Sequence, residues 1–138
     1  MYRNEGGIMV QSSYAGYNIH KQYNVIRRNN ISHNKDVGIY VESSIMNVFE
    51  ENNLMHNKVD AWFWYQSVFD TDHWRDFPLH PCHNVWHANY WSDWSHRAPK
   101  PIKGIVDIFI FLFDRWFYGF SLPCYNFDFH PAMEPYEF

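Results

Sequence analysis

The chain has 138 residues, 46% of them hydrophobic and 21% aromatic, with a formal net charge of −4 and a pI near 6.1. That size is one domain or part of one, and the composition excludes intrinsic disorder. The charge balance excludes the broad basic field on which general nucleic-acid binding depends, so no nucleic-acid partner is expected.

From the N-terminus, Met1–Val10 lacks the basic-then-apolar pattern of a secretory leader, and Gly7-Ile8-Met9-Val10 reads as a short strand. The strongest signal in the chain follows. Residues 24–35, NVIRRNNISHNK, return 23 residues later as NVFEENNLMHNK, with Asn24, Val25, Asn29, Asn30, His33, Asn34 and Lys35 unchanged. The same offset lays Gly38-Ile39-Tyr40-Val41 over Ala61-Trp62-Phe63-Trp64. A degenerate copy begins at Asn84-Val85-Trp86-His87, 37 residues after Asn47, which places an insertion loop within 66–82. A period in the low twenties suits a solenoid, and short apolar–polar alternations bounded by Asn, His and Ser are strand-and-turn signals. Asn tolerates the left-handed backbone and bonds its own main chain, so the 13 asparagines suit tight corners. Each repeat is expected to carry three short strands with asparagine corners, stacked in parallel about 4.8 Å apart.

Stacking the repeats puts Ile26, Phe49 and Trp86 in one interior column and Ile31, Leu54 and Trp91 in a second. Ile8, Ile39 and Trp62 form a third, with Val10, Val41 and Trp64 beside them, and in every column the side chain grows toward the C-terminus. Arg27 aligns with Glu50 and Arg28 with Glu51, opposite charges that support this register. The most apolar stretch, 105–122, is interrupted by Asp107, Asp114 and Arg115. Its pure run Ile108–Phe113 is far short of the roughly 20 residues of a spanning helix, so no transmembrane helix is expected. The reading is therefore an all-β fold: a short parallel β-helix of about three coils over 1–98, and an aromatic-rich capping segment over 99–138. No comparable cap precedes Gly7, which leaves the N-terminal end open to upstream coils of a longer chain or to self-association.

Three chemistries are open to the side chains. His80, Cys82, His83 and His87 gather imidazole and thiolate donors of the kind that suit copper or zinc, though in no established zinc spacing. His33 and His56 are a second metal candidate, because stacking brings their backbones together. Asp70, Asp72 and Asp76 are the candidate catalytic acids, since paired carboxylates serve glycoside hydrolysis. Asp72, Trp74 and Arg75 offer a stacking ring with polar partners for a sugar ligand. No further acid set stands out on the regular repeats, and Asp93 in the NYWSDW run reads as a turn or capping acid. Asp128 and His130 fall within hydrogen-bonding reach of each other without a nucleophile. Cys82 and Cys124 are the only cysteines; they form one bridge in an oxidising compartment or remain thiols.

The pattern N-V-I-x-x-N-N-I-x-x-N-x-x-x-G-I-x-V of residues 24–41 resembles the right-handed β-helix repeats of the periplasmic copper-binding NosD family. It is also similar to the wider class of carbohydrate-binding proteins and sugar hydrolases with the pectate-lyase-like fold. The runs Asn89–Trp94 and Asn126–Tyr136 resemble the closing segments of surface proteins of this type. The resemblance implies a right-handed β-helix, a location outside the cytoplasmic membrane, and the C-terminal portion of a longer helix or a shortened relative. One fold hosts many functions, so three readings follow in order. The first is a non-catalytic scaffold or binding module for a surface polysaccharide. The second is copper binding of the NosD type, and the third is a polysaccharide lyase or glycoside hydrolase fragment.

Overall fold

The computed structural model describes residues 6–11, 24–44, 46–70, 84–113 and 115–138. Every regular element in them is a β-strand. The strands are β1 (Ile8–Gln11), β2 (Val25–Arg27), β3 (Asn30–Ser32), β4 (Val37–Glu42), β5 (Val48–Glu50), β6 (Asn53–Met55), β7 (Val59–Asp70), β8 (Val85–His87), β9 (Tyr90–Trp91), β10 (Lys100–Leu112) and β11 (Arg115–Asp128). They stack as three parallel ladders: β1-β4-β7-β10, β2-β5-β8 and β3-β6-β9. This curled arrangement is consistent with a β-solenoid. It is not parallel throughout. β11 turns back antiparallel along β10, and Asp128 then pairs with Trp86, joining two ladders into one mixed sheet of order β1-β4-β7-β10-β11-β8-β5-β2. The apolar stretch 105–122 is this β10–β11 hairpin, and among the described residues no helix is long and apolar enough to cross a membrane.

Two of the interior columns follow the repeat. Ile26 pairs with Phe49 and Phe49 with Trp86, and Ile31 pairs with Leu54 and Leu54 with Trp91. The Phe49 and Trp86 rings stack at 4.1 Å between centroids. Phe49, Leu54, Trp86 and Trp91 are almost wholly removed from solvent.

The third column corrects the sequence reading by one residue. Ile39 pairs with Ala61 and Val41 with Phe63, so Trp62 and Trp64 are displaced from the interior. The corner between Asn57 and Val59 is one residue shorter than that between Asn34 and Val37, and in a strand one residue exchanges the two faces. Ala61 and Phe63 are buried, whereas Trp62 and Trp64 are only half-buried. The Trp64 indole N–H donates outward to Asp107 at 2.7 Å. The growth in side-chain size fails here too: Val41, Phe63 and Gly104 follow one another. A Cβ at position 104 would collide with the Phe63 ring and carbonyl oxygen, so only glycine admits the phenyl ring at that point.

The asparagines also work differently from the corner role expected. Of the left-handed residues, Arg28, His33, Met46, Glu51, His56 and Ala88 each stand one position before an asparagine. The asparagine side chain itself turns inward and binds the next repeat. Asn29 donates both its backbone N–H and its side-chain amide to Asn52 Oδ1, at 3.1 and 3.0 Å. Asn52 does the same to Asn89 Oδ1, and Asn89 to Asp128 Oδ2. Asp128 is fully buried and accepts a further bond from Trp91 Nε1 at 3.1 Å. A carboxylate has no N–H to pass on, so it ends a ladder of amides with acceptors alone. Asn24-Asn47-Asn84 and Asn34-Asn57 form parallel ladders of the same kind.

Candidate functional site

Two regions of the described surface concentrate polar chemistry. The first is a groove of about 560 Å³ between the corner that enters β7 and the link from β9 to β10. His56, Lys58, Asp60, Trp62, Asp93, Lys100 and Lys103 are among its lining residues. Asp60 is buried and accepts a hydrogen bond from Asn57 Nδ2 at 2.9 Å. Burial pushes its carboxyl up to about 6, opposed by the Asn57 bond and reinforced by the neighbouring Asp93 charge. Lys100 Nζ contacts both Asp93 oxygens at 2.7 Å and lies 5.6 Å and 5.2 Å from the Trp91 and Trp94 ring centroids. The groove is thus equipped to donate and accept hydrogen bonds.

This cluster revises two sequence readings. Asp60 and Asp93 line one groove, and Asp93 has a lysine partner in addition to closing a turn. Asp60 is not marked by the repeat, because the 23-residue offset misaligns it by one position. The Asn57-x-x-Asp60 spacing, which seats the acid on the corner amide, is the signal that was present.

The second region is a set of imidazoles. His33 and His56 stand one above the other with ring centroids 5.2 Å apart. His87, at the end of β8, meets His130, two residues beyond β11, at 5.6 Å in an edge-to-face contact. The Asp128–His130 hydrogen bond uses the His130 backbone N–H, which donates to Asp128 Oδ1 at 3.2 Å. Glu50 pairs with His87 in the β5–β8 register and also contacts Arg27 at 3.2 Å. Glu51 accepts from Arg28 at 2.8 Å and from Arg27, bonds that hold its carboxyl below the usual range. Burial raises Tyr136, with the charges of Glu51 and Asp128 adding to the effect.

Of the residues singled out in the sequence, Asp72, Trp74, Arg75, Asp76, His80, Cys82 and His83 lie outside the described residues. Asp70 ends β7, its backbone paired with Phe111. Cys124 is half-buried on β11 against the Tyr65, Val106 and Ile108 cluster. His87 is described and exposed. Among the described residues no three His, Cys, Asp or Glu side chains converge as a metal cage.

A family model described as "Periplasmic copper-binding protein (NosD)" matches residues 2–75. No curated protein and no solved structure matches the chain.

Proposed function

This chain belongs to the NosD family of periplasmic copper-binding proteins, and on that premise we propose that it is a non-catalytic, extracytoplasmic β-helix that binds copper. The family match carries the reading. The donor chemistry supports it, since exposed imidazoles occur in pairs spaced within the roughly 6 Å between centroids that two rings on one ion can span. Neutral imidazole suits copper, and a thiolate at Cys82 would add a softer donor. The ligand segment is His80, Cys82, His83 and His87. The coils of 1–98 are the scaffold, about three in number, and 99–138 is their cap. The open edges of β1, β2 and β3 form one end of the ladders among the described residues. They are the seat for upstream coils or for self-association.

The test is metal content by mass spectrometry after exposure to copper and zinc and desalting. Retention of about one copper per chain supports the proposal; a metal-free protein refutes it. A second reading, polysaccharide binding, is favoured by the groove, where Trp62 lies beside the Asp60–Asp93–Lys100 cluster. Quenching of tryptophan fluorescence by glycans, lost in Trp62→Ala, would establish it. Unsaturated sugar products would instead point to a lyase.

A further inference from the structure

We infer that His87 and the tail residue His130 together form a copper-binding pair. The inference rests on the copper reading and assigns a ligand to it. The two rings come from segments 43 positions apart, and the fold fixes both backbones. His87 is held in the β5–β8 ladder, with its carbonyl accepting from the Glu51 N–H at 3.3 Å. His130 is fixed on both sides. Its own N–H binds Asp128 at 3.2 Å, and two residues on, the Ala132 N–H donates to the Asn89 carbonyl at 3.0 Å. Further along, Tyr136 and Asn53 exchange two 2.9 Å bonds, and the Tyr136 hydroxyl donates to the Ala88 carbonyl, the residue after His87, at 2.7 Å. The tail is thus laced to β6, β8 and β9 around His130. Only side-chain rotation remains to be restricted when an ion arrives, and such preorganisation lowers the entropic penalty of binding.

The two pairs differ in their surroundings. His56 lines the groove with Lys58 and Lys103, together with Asp60 and the Asp93–Lys100 ion pair. His87 sits in register with Glu50, and the adjacent Arg27 and Arg28 are engaged by Glu50 and Glu51. Both His87 and His130 are exposed, so an ion reaches them without opening the fold.

The test uses the full chain stripped of metal and titrated with copper against a colorimetric competitor, with copper content measured after desalting. His87→Ala and His130→Ala should each weaken copper binding at least tenfold, since even residues that only support a ligand contribute 10–100-fold. His96→Ala, at an exposed ring outside both imidazole pairs, should leave it unchanged. Circular dichroism of the metal-free variants checks that each is folded, and paramagnetic broadening by Cu(II) should fall on the His87 and His130 ring resonances. If wild type binds copper and His130→Ala binds it equally well, the assignment fails while the copper reading stands. If wild type binds no copper, both fail.

Discussion

Asp60→Asn tests the electrostatics of the groove. The Asp60 carboxyl is buried, and its pKa rises from 3.8 to about 6. Each unit corresponds to about 1.4 kcal/mol, so the folded state favours the neutral acid by about 3 kcal/mol relative to the unfolded chain. The sign follows from linkage. Below pH 3.8 the group is neutral in both states and its contribution to stability is fully present. Between 3.8 and about 6 the unfolded chain releases the proton while the folded one keeps it, and stability declines. Above about 6 the folded state must also ionise, and the contribution is gone. Asparagine is neutral throughout, can accept from Asn57 and can donate to Asp93. The variant should therefore match wild type near pH 3.5 and exceed it by up to about 3 kcal/mol at pH 7. Urea unfolding followed by tryptophan fluorescence, repeated from pH 3.5 to 7.5, measures the difference. The opposite trend from Glu51, whose lowered carboxyl loses its stabilising effect as pH falls, is common to both proteins and cancels. A difference independent of pH, or a variant less stable than wild type at pH 7, would show that Asp60 is ionised in the folded protein and stabilised by Lys100.

Three other substitutions probe the stack. Asn52→Ala removes the acceptor for two Asn29 donors and the donor to the Ile26 carbonyl, so it should cost about 2–4 kcal/mol in urea unfolding. Gly104→Ala drives a methyl group into the Phe63 ring and carbonyl, and should lower the thermal midpoint more than any surface substitution on β10. Reversing Arg27 and Arg28 to glutamate sets like charges against Glu50 and Glu51, and should destabilise by about 1 kcal/mol, less at high salt, because these arginines are largely exposed. An unchanged midpoint at low ionic strength would count against the cross-strand pairing.

The repeat in the sequence was enough to place Ile26 with Phe49 and Trp86, Ile31 with Leu54 and Trp91, and the arginines opposite the glutamates. Identical residues at a fixed spacing make identical strands, and parallel strands of one pattern stack in register. It was also enough to indicate an all-β chain and the NosD family. Other features depended on contacts between distant segments. A corner shortened by one residue at Val59 exchanged Trp62 and Trp64 for Ala61 and Phe63, and no local preference records how many residues a corner will hold. The asparagines were recognisable as special, but their inward hydrogen bonds need a partner in the next repeat, while the left-handed conformation falls on the residue before several of them. The antiparallel return of β11, Asp128 as the end of the amide ladder, the meeting of Asp60 with Asp93 and Lys100, and the approach of His130 to His87 all join residues with no shared motif. Periodicity determined which strands stack. Only tertiary structure, by closing the chain on itself, decided which polar groups would meet, because those encounters depend on the path of the turns between strands and on what the last strands cover.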